Sequence, residues 1–296
     1  MTKISVVVVS LIGLPVIDEC LRALEGQKGD FEAEIIVVGR PADKTREHIS
    51  KTFPEIKLIQ SAKGLGIPQL RALGMAEASG EIIAITEDCC IPHENWFEEI
   101  TQAHRSGYDV VGGAIENGGT DRIVNWAAYL CEYSQAMLPI PDGEVDGVAG
   151  NNASYKREIF DKLDESIKTD YWEYFIHQEL RKQDVKILSV PEIVVLKKKE
   201  FSFLYFFVQR FYFSRSFAGM RSNLIPASRR IISALLSPAL PLVMTLRIGR
   251  QVFTKKKYIK EFVLSLPFLS IFMLSYAAGE FTGYVFGAGK SLEKVE

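Results

Sequence analysis

The first 120 residues alternate short apolar runs with segments of helical periodicity. The apolar runs are ISVVVVS (4–10), AEIIVVG (33–39), IKLIQ (56–60), EIIAIT (81–86) and DVVGGAIE (109–116). Their length and their content of Val and Ile predict five strands. The first run is apolar throughout, which is typical of a strand covered on both faces of a sheet.

The segments between these runs repeat apolar residues every three to four positions, which predicts helices. The helices predicted in this way cover 17–24, 42–53, 68–78 and the residues after Pro92. This alternation predicts an α/β fold with a mostly parallel sheet and helices on both faces. In such sheets ligands collect at the carboxyl ends of the strands.

The stretch from 117 to 196 completes this first domain. Helices are predicted over 121–137 and 171–183, and two short strands within 186–196. A run of three lysines then begins at Lys197. We therefore predict a domain over 1–196.

A basic, aromatic segment follows at 197–230. Nine of the 17 residues from Phe201 to Phe217 are aromatic, and Arg210 and Arg215 lie among them. Aromatic side chains and arginine both favour the lipid headgroup layer, so we predict a helix lying in that layer. A core helix is the alternative.

Two uncharged stretches, 231–246 and 262–279, predict a membrane-associated helical hairpin and tail over 231–296. The basic residues between them are Arg247, Arg250, Lys255, Lys256, Lys257 and Lys260. If both stretches crossed the membrane, this loop would lie opposite the first domain, against the cytoplasmic excess of Lys and Arg. A hairpin that only dips into the membrane avoids the conflict, and so does a single crossing by the second stretch. The short, proline-interrupted first stretch favours the hairpin.

Charge is unevenly distributed, although the formal net charge is −2. Residues 1–196 contain 32 acidic and 19 basic side chains, whereas 197–296 contain 5 and 16. An acidic domain joined to a basic, apolar tail predicts binding to anionic membrane lipids. The Leu, Ile and Phe content of the tail argues against a nucleic-acid partner.

The amino terminus resembles a signal peptide, because Lys3 precedes a long apolar run. Asp18, Glu19 and Cys20 stand where small residues would precede a cleavage site. We expect a buried strand instead, a first domain on the cytoplasmic side of the membrane, and reduced cysteines.

Two carboxylates follow the fourth predicted strand directly. Glu87 and Asp88 end a buried run, and Pro92 predicts a turn soon after. Carboxylate oxygens at a strand end suit Mg²⁺ or Mn²⁺ bridging a diphosphate. A solvated acidic turn is the alternative.

Several motifs, in this order, resemble the family-2 glycosyltransferases with the GT-A fold, in particular their membrane-associated bacterial members. The matching segments are ISVVVVS (4–10) and the helix after it, EIIVVG (34–39), 67–96, GNNASYKREIF (150–160), 170–192 and 207–221. The resemblance implies a GT-A-like catalytic domain over 1–196 that uses a nucleotide-diphosphate sugar and inverts the anomeric centre.

The resemblance also implies a donor site. Glu87 and Asp88 take the place of the family's metal-binding and diphosphate-binding acids, so Mg²⁺ or Mn²⁺ is the implied cofactor. Cys89 stands where a second aspartate is common. Arg71 matches an arginine near the donor diphosphate, where its fork of N–H donors suits phosphate; a helix-surface arginine is the alternative.

Further along the chain, the resemblance implies Glu173 as the general base that takes the acceptor proton. A solvated helix face is the alternative for Glu173. Asp170 is the rival base, or otherwise a cap of the following helix. Trp172 packs against the sugar or in the core, and Asn151 and Asn152 bind sugar hydroxyls or form a turn.

Three positions depart from the family. Ser10 and Gly39 occupy the nucleotide-contact positions after the first two strands, where a Pro-Thr-like sequence and an aspartate are usual. Lys197 is among the residues that replace a histidine common after the closing strand. Arg210 and Arg215 are then candidate diphosphate contacts, with lipid phosphates as their alternative partners.

The sequence therefore predicts an inverting glycosyltransferase at the cytoplasmic membrane face. Its predicted partners are a nucleotide-sugar donor, a lipid-linked or nascent surface glycan as acceptor, and anionic lipids; a homo-oligomer stays open. A catalytically degenerate membrane scaffold on the same fold is the alternative, because Gly39 and the metal motif depart from the family.

Overall fold

The computed structural model describes residues 2–40, 42–119 and 122–295. The chain divides into two compact units. The first comprises Met1–Gly118 and Ala136–Lys198, and the second comprises Gly119–Gln135 and Lys199–Glu296. This differs from the predicted division at 196 chiefly because a segment from the middle of the chain packs with the C-terminal helices.

The first unit is built on a mixed sheet. Its strands are β1 (Thr2–Ser10), β2 (Phe31–Gly39), β3 (Lys57–Gln60), β4 (Ile82–Glu87), β5 (Cys90–Pro92), β6 (Val110–Asn117), β7 (Gly143–Val145), β8 (Ala153–Lys156) and β9 (Ile187–Lys197). Their order is β3-β2-β1-β4-β8-β6-β9-β5, and β7 pairs with β9. The predicted α/β sheet is thereby confirmed.

The helices follow in chain order. They are α1 (Val16–Glu25), α2 (Asp43–Thr52), α3 (Ile67–Ala76), α4 (Trp96–Arg105), α5 (Ile123–Tyr133), α6 (Glu165–Asp170), α7 (Glu173–Arg181), α8 (Phe203–Leu224), α9 (Ala227–Leu236), α10 (Leu240–Lys255) and α11 (Ile259–Phe286). Asp121, where the sequence placed the start of α5, lies outside the described residues.

The apolar run of β1 is uninterrupted because this strand lies inside the sheet, between two other strands. Parallel partners β2 and β4 flank this strand on both sides. Its residues from Val6 to Val9 are fully buried, because helices cover both faces. The carboxyl end of β1 therefore lies between the ends of two parallel neighbours, where a ligand site is expected.

Pairing across the sheet differs from the predicted pattern at three strands, β8, β5 and β9. β8 runs antiparallel between β4 and β6, although most of the paired residues of the sheet belong to the parallel pairs β1–β2, β1–β4, β2–β3 and β6–β9. β5 forms where a turn and helix were predicted at Pro92, and pairs antiparallel with β9. β9 itself is one strand instead of the predicted two, since β6 holds both halves, with a register shift after Gly113.

The second unit is helical and contains α5 and α8 to α11. By length and composition, two stretches could cross a membrane: Ala227–Lys255, which joins α9 and α10, and Ile259–Phe286. Each has a mean hydropathy of 1.8, and 17% and 44% of their most apolar windows are buried. Large apolar side chains such as Leu235, Leu242 and Phe286 are more than two-thirds exposed, which suits contact with lipid.

Helices α8 and α11 pack closely through small residues. A Cβ at Gly279 would lie 2.0 Å from Ser214 Oγ, and one at Gly283 would lie 2.8 Å from Ala218 Cβ. Gly279 and Gly283 stand four residues apart, a spacing that lets membrane helices approach. The aromatic helix α8 was predicted to lie flat among lipid headgroups, but one of its faces packs against α11.

The turn between α10 and α11 packs against α5. Lys256 and Tyr258 both adopt left-handed backbone conformations, with φ of 53° and 60°. The Tyr258 ring lies 4.6 Å from the Trp126 ring and 6.2 Å from the Tyr129 ring. The basic loop of the sequence is thus a tight turn against α5.

Candidate active site

Four strands end at one edge of the sheet and bring polar residues together there. Glu87 is the last residue of β4 and Lys197 the last of β9. Their neighbours β1 and β2 end at Ser10 and Gly39, which are paired in register. Because these strands run in the same direction, their carboxyl ends share an edge, as expected for a ligand site.

An ionic chain of four side chains crosses this edge. Lys197 Nζ lies 2.5 Å from Glu87 Oε2, and Arg71 Nη2 lies 3.3 Å from Glu87 Oε1. Arg71 Nη1 in turn lies 2.9 Å from Glu173 Oε2. We call Lys197, Glu87, Arg71 and Glu173 the ionic chain. It joins three residues predicted for the site with one, Lys197, that the sequence did not single out for it.

The Arg71–Glu173 pair is the more exposed end of the ionic chain, since Lys197 and Glu87 are 7% and 16% exposed. The Arg71 side chain is 9% exposed, against 27% for Glu173. A Cβ at Gly150 would lie 2.5 Å from Glu173 Cδ and 2.6 Å from Arg71 Nη1, so glycine is what lets the pair form there. Burial alone would lower the pKa of Arg71, but the two carboxylates beside it raise that pKa above its usual value.

Glu173 also lines a small cavity. Its walls include Arg71, Gly150, Tyr155 and Tyr171. The Tyr155 hydroxyl is hydrogen-bonded to His177 Nε2 at 2.9 Å, and both side chains are buried. The cavity places open space directly beside the predicted base.

One carboxylate oxygen of Asp88, a predicted metal ligand, is bound to the loop after β1. Its Oδ2 accepts hydrogen bonds from Ser10 Oγ and from the amides of Leu11, Ile12 and Gly13, at 2.8–3.0 Å. It is 1% exposed, and burial raises its pKa although the hydrogen bonds it accepts oppose this. Asp88 therefore fixes the loop after β1.

Ser10 and Gly39, the predicted nucleotide contacts, make close contacts within the protein. Ser10 is fully buried and donates to Asp88. A Cβ at Gly39 would lie 2.0 Å from the carbonyl oxygen of Ser10, so the close approach of β1 and β2 excludes an aspartate here. The contacts of both residues thus differ from the predicted donor contacts.

Asp170 and Asn152 are engaged elsewhere. Asp170 is exposed and accepts from Gln69 Nε2 at 3.0 Å, while Trp172 occupies the position before α7 that Asp170 was predicted to cap. Asn152 is 1% exposed; it accepts from Trp96 Nε1 and donates to the carbonyls of Ala114 and Ile193. Asn152 ties strands together instead of binding a sugar.

Two other predicted sugar contacts are buried beside the site. Asn151 is 4% exposed, and its Nδ2 lies 3.5 Å from Cys90 Sγ. Trp172 is 5% exposed and packs in the core, which was its alternative interpretation. A direct sugar contact by either residue stays a prediction.

Arg210 and Arg215 belong to the second unit, and their recorded contacts lie within it. Arg210 is buried in an ion pair with Glu132, with Phe206 and Phe213 rings 4.7 and 4.8 Å from its guanidinium. Arg215 Nε donates to the carbonyl of Gly287 at 3.2 Å. These contacts are with protein groups, which differs from both the predicted diphosphate and the lipid phosphates.

Among the residues that the structure describes, one cluster could hold a metal ion: Glu87, Cys89 and Cys90, whose ligand atoms lie within 4.8 Å of one another. A hydrogen bond from the Cys90 thiol lowers the pKa of Cys89, and burial raises that of Cys90. Mg²⁺ and Mn²⁺ prefer oxygen, whereas thiolates select softer metals. Both Glu87 oxygens are already paired with cationic side chains, so this donor set does not fit Mg²⁺ or Mn²⁺.

Lys197 and Gly150 are the contributors to this edge that sequence reasoning missed. Lys197 was interpreted as the first residue of a basic linker and as one of the residues that replace the family's histidine, without a role in the site. Its position could have indicated a role in the site, because a lysine at the carboxyl end of a core strand lies at the edge where ligands bind. Gly150 was interpreted as turn chemistry, and its packing against Arg71 and Glu173 could not be seen without coordinates.

Comparison with known proteins agrees with the fold. The sequence model of "Glycosyl transferase family 2" matches residues 5–164. The glycosyltransferase AglE of Haloferax volcanii is 30% identical over 115 residues, which are 35% of this chain and 38% of AglE. The match thus spans less than half the length of that curated relative.

Two solved structures share the architecture at low identity. The mannosyltransferase PcManGT from Pyrobaculum calidifontis, solved with GDP-Man and Mn²⁺, has a TM-score of 0.59 at 15% identity and covers 94% of this chain and 87% of its own. TarS of S. aureus has a TM-score of 0.53 at 16% identity and covers 70% and 38%. The GT-A-like fold expected from the sequence is confirmed, and the chain belongs to glycosyl transferase family 2.

Proposed function

We propose that this protein is an inverting glycosyltransferase that moves a sugar from a nucleotide-diphosphate donor to a hydroxyl group. The observation that carries the proposal is the ionic chain: a carboxylate beside a cavity, held by a buried arginine at the carboxyl edge of the sheet. Family membership supports the reaction class. The GDP-Man bound by PcManGT supports a nucleotide-sugar donor.

Arg71 has two carboxylate partners that a diphosphate can replace. A guanidinium binds phosphate oxygens through paired, charge-assisted hydrogen bonds. A donor diphosphate therefore competes with Glu173 for Arg71 Nη1, which now lies 2.9 Å from Glu173 Oε2. Donor binding releases the Glu173 carboxylate next to the cavity.

Glu173 then acts as the general base. The acceptor oxygen bonds to the anomeric carbon on the side opposite the diphosphate, and its proton passes to Glu173. The bond between the anomeric carbon and the diphosphate oxygen breaks, and its electron pair stays on the leaving diphosphate. Attack from the opposite side inverts the anomeric centre.

A divalent cation takes no part in this proposed sequence. The fold family and the sequence imply Mg²⁺ or Mn²⁺, and PcManGT was solved with Mn²⁺. In this chain the corresponding groups are Glu87, whose two oxygens are paired with cations, Asp88, whose Oδ2 is bound to the loop after β1, and two thiols, a donor set that does not suit those ions. The reaction is therefore derived from the side chains alone.

We further propose that the acceptor is a lipid-linked or nascent surface glycan at the cytoplasmic membrane face. The two long apolar helices and the basic residues between them support membrane association. A transferase held at a membrane meets acceptors that are themselves anchored in lipid.

A donor screen tests the function. Thermal unfolding of the detergent-solubilised protein is measured with a panel of GDP- and UDP-sugars, each in EDTA and in Mn²⁺. We expect one donor to raise the unfolding temperature, because ligands that bind the folded state stabilise it. Transfer of the radiolabelled sugar into a lipid extract then tests the acceptor, and label found only in water-soluble products would contradict it.

The degenerate scaffold is the second candidate, because Asp88, Ser10 and Asn152 are all engaged in structural contacts. It predicts that no donor in the panel stabilises the protein under either condition. Stabilisation followed by transfer eliminates it.

A further inference from the structure

Lys197 occupies an unusual position for a lysine. Its side chain is 7% exposed, and it ends β9 between β5 and β6, where it pairs in register with Cys90 and Asn117. Its ammonium lies 2.5 Å from Glu87 at the ligand edge of the sheet. One buried cation is thus held at the ligand edge, bound to Glu87 and in register with Cys90.

Stability alone is a weak reason for a buried lysine–glutamate pair. Removing two charges from water costs about as much as their attraction returns, so apolar replacements are often neutral or stabilising. The buried side chains of Cys89 and Cys90 lie beside this pair, so apolar side chains in place of Lys197 and Glu87 would have apolar neighbours. The ammonium is held at the edge where ligands of such sheets bind.

The charges of the ionic chain balance without an added ion. Lys197 and Arg71 contribute two positive charges, and Glu87 and Glu173 two negative ones. A diphosphate that takes Arg71 from Glu173 adds negative charge to this site. A metal ion would find one oxygen-bearing side chain among Glu87, Cys89 and Cys90, and that side chain, Glu87, is already paired. Lys197 is the cation beside that position.

We propose, on the basis of the proposed function, that Lys197 does the work of the divalent metal ion: its ammonium, with Arg71, binds the donor diphosphate and neutralises it as it leaves. An ammonium is a compact point charge with three N–H donors, which suits phosphate oxygens. The donor diphosphate is therefore bound without Mg²⁺ or Mn²⁺, and Lys197 is a donor-binding residue.

Calorimetric titration of the full chain in detergent tests this inference. GDP-mannose and UDP-glucose are titrated in EDTA and in Mn²⁺ into the unmodified protein, Lys197→Met and Lys198→Met. Lys198 is the matched control, because it is the adjacent lysine, is partly exposed and pairs with Glu19. In EDTA we expect Lys197→Met to weaken binding about 10- to 100-fold, the range for loss of a charged hydrogen-bond partner, and Lys198→Met to leave it unchanged.

A second variant guards against misfolding, since Lys197→Met leaves Glu87 without its lysine. The double variant Glu87→Gln, Lys197→Met removes both charges and is expected to fold while binding donor as weakly as Lys197→Met. Donor binding by the unmodified protein that requires Mn²⁺ would overturn the inference and leave the proposed function intact. Full affinity of the double variant in EDTA would overturn it too. Absence of donor binding under every condition would overturn both.

Discussion

In the proposed mechanism Glu173 is held by Arg71, the residue that it must leave in order to act as the base. Its carboxylate is bound to Arg71, and Arg71 is bound to Glu87, so the resting base is masked by a cation. A base that is exposed only when a diphosphate draws Arg71 away can accept a proton only when a donor is present. This arrangement limits wasteful activation of water in the empty site.

The role of Glu173 is tested by Glu173→Gln. The amide cannot accept the acceptor proton, so we expect turnover to fall about 10²- to 10⁴-fold. Donor affinity should be retained or rise, because Arg71 loses a competing carboxylate. Single-turnover sugar transfer and donor titration measure the two quantities separately.

Two further variants make this test specific. Glu179→Gln is the matched control, because Glu179 lies on the same helix and pairs with Lys182 away from the cavity. Asp170→Asn tests the rival base. Loss of turnover in Asp170→Asn with normal turnover in Glu173→Gln would reassign the base.

Two buried histidines make stability depend on pH. Burial lowers the pKa of His177 and of His104 to about 4, against about 6.5 in an unfolded chain. Both rings are hydrogen-bonded, to the Tyr155 hydroxyl and to Ser154 Oγ respectively. Between those pKa values the unfolded state binds more protons than the folded state, so stability falls as the pH drops from about 6.5 to 4.

We expect each histidine to account for about 2–4 kcal/mol of that loss, from about 1.4 kcal/mol per pKa unit. Denaturant unfolding of the solubilised protein at several pH values measures it. His177→Gln should be less stable at neutral pH but show a shallower decline toward pH 4. A decline as steep as that of the unmodified protein would mean that His177 is protonated in the folded state.

At the scale of elements, the sequence predicted what strong local patterns encode. β1, β2, β4 and β6 are long runs of buried Val and Ile, and each was located within a few residues. β5, β7 and β8 have three or four residues each, too few for a period to emerge. They form because neighbouring strands offer hydrogen-bond partners, which only the tertiary structure reveals.

The candidate site was also predicted in part: the sequence identified some of its residues, but not how every side chain is oriented. Glu87, Arg71 and Glu173 were identified through motif order, and the structure brings them together. Asp88 and Asn152 were assigned ligand roles because their residue types suit ligands. Their side chains instead face the β1 loop and the strands around Trp96, and such orientations depend on the backbone path after each strand.

The α8–α11 contact gives a prediction at this scale. Gly279→Val places a side chain where Ser214 Oγ and the carbonyl of Phe211 lie within 2.0 and 2.4 Å of the Cβ position. We expect about 1–3 kcal/mol of destabilisation, as for overpacking in a tight core. Ala278→Val is the control, because Ala278 is exposed on the same helix. Equal thermal stability of the two variants in detergent would contradict this packing.

At the scale of the whole molecule, two parts of the second unit meet beside α5: the start of α8 and the turn between α10 and α11. The amide of Phe201, just before α8, donates to Asn125 Oδ1 on α5, and the ring of Tyr258 in the basic turn packs against that of Trp126. The start of α8 and the turn between α10 and α11 therefore lie at the same end, beside α5. The chain enters and leaves the first unit through residues next to α5 and α8.

This order removes the conflict that favoured a hairpin dipping into the membrane. The sequence argument assumed that α8 stays on one surface, which would put the basic turn on the far side of two crossings. In the structure α8 leads away from α5, α9 and α10 return toward it, and α11 leads away again. The Lys and Arg residues of the turn then lie at the same end of the second unit as the start of α8, rather than on the far side of two crossings.

We therefore predict that α11 crosses the membrane, and cysteine labelling in sealed vesicles tests it. A helix of 28 residues spans about 42 Å, which exceeds the hydrocarbon core of about 30 Å. Single cysteines replace the exposed Lys63, Lys260 or Lys290 in a Cys131→Ser background, because the other native cysteines are buried. A membrane-impermeant maleimide should label Lys63→Cys and Lys260→Cys from one side and Lys290→Cys from the other. Labelling of all three from one side would mean that the hairpin only dips into the membrane, and labelling of Lys260→Cys opposite Lys63→Cys would contradict the shared end of α8 and the basic turn.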